Sequence, residues 1–173
     1  MFADAPVLCG FGAFARSDWQ TGCVPILPER NCSLLVRTDF SSDEAWRRVA
    51  GEAAQENGDG FRAYAEPVSD QAFDAASWET VKAALPAGSH GASVLFIADS
   101  MSLSSPDHPI LVVDLSDTFL PVDEFPEIAG RMPFRCIPSA LWSVDNNLNI
   151  ANMDWEEFAR AAGEDGVFRG FGQ

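Results

Sequence analysis

Three apolar runs in this chain end on an aspartate: SLLVRTD at Asp39, SVLFIAD at Asp99 and ILVVD at Asp114. Carboxylates are hard oxygen ligands, and three that converge would suit a divalent cation of the magnesium type. Phosphoryl-transfer enzymes and phospho-acceptor domains use such an arrangement. Convergence requires the three runs to be strands of one sheet pointing the same way, because ligands of open α/β sheets bind outside the carboxyl ends of the strands. No cofactor is therefore read from the sequence, and Mg²⁺ enters only if Asp39, Asp99 and Asp114 share a rim. The competing reading is that Asp39 and Asp99 open turns by accepting local backbone N–H bonds. No Gly-rich phosphate loop or D-x-D pair follows the first run, and the single lysine, Lys82, is not placed to meet a phosphate.

A second candidate is LWSVDNNLNIANMDWEEF, residues 141–158, where Asp145, Asn146, Asn147, Asn149 and Asn152 crowd among Leu148, Ile150 and Met153. Amide side chains both donate and accept, so this cluster could hold a polar ligand or a partner's backbone. Asparagines also terminate helices and cap the next one, and that reading explains most of them. Arg37 is grouped with these residues as a candidate ligand-binding side chain; it stands in mid-strand and needs a carboxylate, with Glu66 or Asp114 as the expected partner. The cysteines (Cys9, Cys23, Cys32, Cys136) form no C-x-x-C pair; Cys32 and Cys136 read as small buried hydrophobes beside strands. His90 and His108 lie in GSHG and PDHP and read as solvated loop histidines. No catalytic constellation is complete: there is no Ser-His-Asp order and no G-x-S-x-G elbow.

These residues need elements to hold them. Short Val-, Ile- and Leu-rich runs predict buried strands at about 33–39, at SVLFIAD and at 109–114, with further strands at 61–68 and 134–138. Pro67 marks the second of these as an edge strand. Helical spacing follows each of the first two strands, in SSDEAWRRVAGEAAQEN with a Ser41–Glu44 capping box and in WETVKAAL capped by Ser77. Two more helices are expected late in the chain, ALWSVDNN behind Ser139 and WEEFARAAG behind an Asp154–Glu157 box, with Phe168 and Phe171 packing back afterwards. The alternation of strand and helix predicts a single-domain α/β fold of about five largely parallel strands with helices on both faces. SMSLSSPDHP is the undecided joint. Its ten residues are near the minimum for a parallel crossover and would equally form an antiparallel return. Residues 1–30, rich in Pro, Gly and aromatics, read as an N-terminal arm on an α/β domain spanning 31–173.

The chain has 173 residues, 47% of them hydrophobic, enough for one domain with a sizeable core. No apolar run approaches the roughly 20 residues needed to cross a bilayer, and MFADAPVLCG lacks a basic leader, so the expected location is the cytoplasm. Eleven basic and 26 acidic residues leave a formal charge of −15. Such a surface repels nucleic-acid phosphates and anionic lipids, which excludes both as ordinary partners. It either serves solubility alone or meets a basic protein.

The segments LLVRTDFSSDEAW, FIADSMSLSSPDHPILVVDL and IPSALWSVDNNLNIANMDWEEFARAAGEDGVFRGF together resemble an uncharacterised domain of unknown function frequent in actinobacteria. The resemblance covers residues 33–171 and implies no activity and no catalytic residues. Two functional expectations follow from the residues. One is a non-catalytic acidic binding protein, an immunity-type inhibitor or regulatory partner of a basic protein. The other is a small enzyme or ligand-binding protein of a biosynthetic pathway, with its pocket at the strand C-terminal ends.

Overall fold

The computed structural model describes residues 25–86 and 91–172, so much of the expected arm, together with His90, Cys9 and Cys23, lies outside the described residues. Among the described residues six strands form one sheet: β1 (Ser33–Arg37), β2 (Ala65–Val68), β3 (Val94–Ala98), β4 (Ile110–Asp114), β5 (Phe134–Cys136) and β6 (Val167–Phe168), in the order β2-β1-β3-β4-β5-β6. β1 is parallel to β2 and β3, and β5 to β6, whereas β4 runs antiparallel to both of its neighbours. The sheet is thus mostly parallel, with one reversed strand and one short strand beyond the five expected.

The five α-helices among the described residues are α1 (Asp43–Ala53), α2 (Trp78–Ala83), α3 (Ser100–Ser104), α4 (Leu141–Asn149) and α5 (Trp155–Ala161). β1 is left toward β2 through α1, and the chain then returns past β1 to β3 through α2. Right-handed crossovers made in opposite directions put their helices on opposite faces. Accordingly α2 packs Val81 and Ala84 on Leu34, Val36, Leu95 and Ile97, joined by Leu27 from the segment before β1. The other face carries α1, α3, α4 and α5 over Leu35, Phe96, Val112 and Cys136. Phe158 of α5 is fully buried and meets Phe134, Phe168 and Phe171, so the chain end does pack back.

The undecided joint resolves as a return. A parallel crossover must travel back along the full strand, about 17 Å for β3, while α3 is only about 7.5 Å long. Instead the link is stitched where β3 ends: Asp99 caps α3, Ser102 Oγ donates to the Pro109 carbonyl at 2.9 Å, and His108 turns the chain with φ +48°. His108 is buried rather than solvated, with Nδ1 2.8 Å from the Ser102 carbonyl, because that left-handed turn folds its ring inward.

Local signals moved by a residue or two. Ser42, not Ser41, caps α1, since Ser41 donates its N–H to Asp39 Oδ1 at 2.7 Å. α4 begins at Leu141 after a 3-10 turn led by Pro138, without a side-chain cap from Ser139. Ser77 caps α2 through Thr80 N–H, and Glu157 reaches back to the Asp154 N–H at 2.8 Å, as expected.

Gly91, just before β3, lies against the backbone that leads into β1. A Cβ there would sit 1.9 Å from the Arg30 carbonyl oxygen. Because the obstruction is backbone, Gly91→Ala is expected to destabilise the fold by about 2 kcal/mol or more, lowering the melting temperature by roughly 4–8 °C in calorimetry. Gly51→Ala, in α1 with open space around it, should be neutral or slightly stabilising.

Candidate functional site

The reversal of β4 separates the three aspartates. Asp114 pairs with Val94, the first residue of β3, whereas Asp99 follows its last. The two acids therefore stand roughly 17 Å apart along the strand direction and cannot ligate one ion. Among the described residues no group of three or more His, Cys, Asp or Glu side chains is arranged to hold a metal. The Mg²⁺ site conditional on Asp39, Asp99 and Asp114 sharing a rim is thereby withdrawn.

What remains at the carboxyl rim of β1 and β3 is the switch point of the sheet, where the strand order reverses, β1 leading to β2 on one flank and β3 to β4 on the other, and ligands of open α/β folds bind at such a point. A groove of about 390 Å³ opens there, lined by Thr38, Trp78, Ile97, Asp99, Met132 and Arg135 among others. Ile97, Leu111 and Arg135 come from adjacent positions on β3, β4 and β5. Ala75, beside the groove, holds φ +56°, and its N–H donates to the Thr38 carbonyl at 2.9 Å. A non-glycine residue in that region is strained, and the hydrogen bond fixes the wall.

Asp99 is the charged centre of this rim. Arg135 forks onto it, with Nη2 to Oδ2 at 2.6 Å and Nη1 to Oδ1 at 3.1 Å, and Nη1 also donates to the Pro109 carbonyl. Burial by itself pushes the Asp99 pKa up. The Arg135 hydrogen bonds, the Ser102 N–H and the guanidinium charge together outweigh that and hold it below the ordinary carboxylate value. Asp99 is therefore an ionised anchor at neutral pH, unsuited to proton transfer there. Asp39 caps the turn after β1. Both carboxylates thus do the turn-opening work that competed with metal binding.

The remaining candidates are dispersed. Arg37 is buried beneath α1, donating Nε to the Asp39 carbonyl at 2.7 Å and Nη1 to Asp43 Oδ1 at 2.8 Å. Its guanidinium lies 4.3 Å from the Phe40 ring centroid and 5.8 Å from that of Trp46. Nη2 has no acceptor among the described residues, and the aromatic faces supply part of the compensation. The expected partners of Arg37 are taken elsewhere: Glu66 binds Arg30 and Asp114 binds Arg131. They face other elements, while Asp43, six residues on, arrives with the first turn of α1.

Asp145, in α4, is buried and accepts from Ser33 Oγ at 2.5 Å, the Tyr64 N–H at 2.7 Å and Asn149 Nδ2 at 2.8 Å. Asn149 Oδ1 accepts from the Ser93 N–H at 2.7 Å. These two residues bind α4 to the starts of β1, β2 and β3, a structural role and not helix punctuation. Asn147 and Asn152 do close the helix, through Asn147 Nδ2 to the Ser143 carbonyl and Asn152 Nδ2 to Asn147 Oδ1, both at 2.7 Å. Asn146 is half-buried on α4 and its carbonyl accepts from Ile150 N–H. The five polar residues of this segment are therefore not gathered into one ligand site.

Sequence reasoning missed Arg135 and Arg131. Arg135 carried the same signal as Arg37, a lone charge inside an apolar strand, which demands a carboxylate. Arg131, in the loop before β5, carried none. It bridges Asp114 Oδ2 at 3.2 Å and Glu156 at 2.9 Å.

Two substitutions test these assignments. Asp145→Ala strands three donors and is expected to cost about 3 kcal/mol in urea unfolding, with Asp145→Asn cheaper because one acceptor oxygen survives. Asp99→Asn is expected to cost about 2 kcal/mol at pH 7. Because the folded-state pKa of Asp99 is depressed, its contribution is present above about pH 4 and disappears as pH falls through the folded value. The stability gap between wild type and Asp99→Asn should therefore stay constant from pH 7 to 5 and close on further acidification. A gap unchanged at pH 3 would refute the ion-pair assignment.

Comparison with curated proteins returns no match. A family model described as a domain of unknown function (DUF6924) matches residues 32–171. That span takes in every strand from β1 to β6, all five helices, the switch-point groove and the α4 network, and it leaves out the first 31 residues. The chain belongs to the DUF6924 family.

Proposed function

We propose that the protein is an acidic binding protein that engages a basic protein surface, in the manner of an inhibitor or regulatory partner, without itself catalysing a reaction. One observation carries this reading: most of the few basic residues are tied up within the chain, and among the described residues Arg47, Arg62 and Arg160 alone stand exposed outside an ion pair. Arg30, Arg37, Arg48, Lys82, Arg131, Arg135 and Arg169 all sit in ion pairs with neighbouring carboxylates. The acids left over, among them Glu29, Glu56, Asp59, Asp74, Asp123, Glu124 and Glu164, are exposed. A predominantly acidic surface of this kind accelerates encounter with a cationic partner and discriminates against anionic ones.

A second reading is favoured by the switch-point groove. Its 390 Å³ falls within the range of small-ligand sites, and Trp78 and Met132 offer apolar contact beside the Asp99–Arg135 pair. On that reading the protein binds a small organic molecule or acts on one, with no role for a strand-end metal.

The experiment is co-purification from the native cell at about 50 mM salt, followed by reconstitution of the recovered protein with purified chain across a salt series. A basic partner should bind tightly at low salt and be lost toward about 1 M, where the Debye length is roughly 3 Å. A partner that is acidic, or an affinity indifferent to salt, would sink the electrostatic reading. Stabilisation of the wild type but not of Trp78→Ala by a small molecule would favour the groove instead.

A further inference from the structure

We infer that the groove between the loop after β4 and the C-terminal end of α4 is the seat of a lysine or arginine side chain presented by the basic partner; this rests on the electrostatic reading above. The groove encloses about 250 Å³, below the range of most small-ligand sites and suited to a side chain. Leu120, Phe125, Leu148 and Met153 supply an apolar floor. Asp114, Glu127 and Asp154 stand along it, and its lining holds one basic residue among the described residues, Arg131. That guanidinium is already bracketed by Asp114 and by Glu156, so it does not neutralise the other carboxylates. α4 ends at this groove through Leu148 and Ala151, with no basic residue in its last turn, and its C-terminus favours a cation, while the start of α5 at Asp154 and Trp155 brings an opposing positive end that the Asp154 carboxylate caps.

An alkyl stem with a cationic tip is the chemistry that fits an apolar floor edged by acids, because the stem can lie on the floor while the head stays at the carboxylates. The loop is held ready for this contact. Residues 121–127 are exposed, yet Phe125 N–H donates to the Pro121 carbonyl at 3.1 Å and Ile128 N–H to the Phe125 carbonyl at 3.2 Å. Ile128 and Leu115 anchor its two ends in the interior. Phe125 is left 38% exposed, as an apolar anchor for a partner would be.

The test is a titration of the ¹⁵N-labelled chain with a blocked trilysine peptide at low salt, with the ε-acetylated peptide as the uncharged control. Saturating shifts should concentrate on the amides of residues 119–128 and 148–155, vanish with the acetylated peptide, and weaken several-fold in Glu127→Gln and in Phe125→Ala. Both substituted positions are exposed, so neither variant should unfold. Shifts centred instead on the acidic groove of Glu52, Glu56 and Asp107, or titrations unchanged in both variants, would overturn this seat while leaving a basic partner possible. An absence of shifts anywhere would overturn the seat and the basic-partner reading together.

Discussion

A helix of five residues cannot carry the chain back along a strand of five, and the arrangement of charge in this protein follows from that mismatch. With α3 too short for a crossover, the chain turns at the end of β3 and β4 descends antiparallel. One aspartate is thereby left at the carboxyl rim and another is delivered to the opposite rim. Each is met by its own arginine, Arg135 at Asp99 and Arg131 at Asp114, both reached from the segment that leads into and through β5. Had the link been a crossover, the same acids would have stood at one rim, where like charges raise one another's pKa unless a cation comes between them.

The consequence for function is that acids and bases are distributed unequally between interior and surface. Buried or half-buried carboxylates are satisfied by specific donors: Asp145 by a hydroxyl, an amide side chain and a backbone N–H, and Asp99 by a guanidinium and a helix start. Most of the scarce cations are held in these and similar pairs, while Arg47, Arg62 and Arg160 stay exposed. What reaches solvent is an excess of carboxylate, concentrated where the loop after β4 and the C-terminal end of α1 project. Exposed ion pairs contribute little to stability, so on the proposed reading the surface excess acts in encounter and selectivity and not in folding.

Much of the scaffold was legible because it is written in local rules. The apolar runs at 33–37, 94–98 and 110–114 had only one plausible periodicity, Pro67 marked an edge strand, and Ser77 and Asp154 announced helix starts by their side-chain chemistry. The competing turn-opening role of Asp39 and Asp99 was legible for the same reason. The partner of Arg37 was not, because a salt bridge depends on where a helix lands and not on spacing between strands. Nor was the work of Asp145 and Asn149. In sequence they look like helix punctuation, and only the arrival of Ser33, Tyr64 and Ser93 at the same helix face makes them the tie between α4 and the sheet.

The order of residues alone determined an α/β fold, five of the six strands described, most of its helices and its acidic character, since hydrophobic period, capping and net charge are properties of short stretches or simple sums. Tertiary structure alone decided the direction of β4, and with it which acids meet, which arginines they meet and which grooves remain open. Those outcomes rest on contacts between residues tens of positions apart, whose geometry depends on how far a ten-residue link can reach.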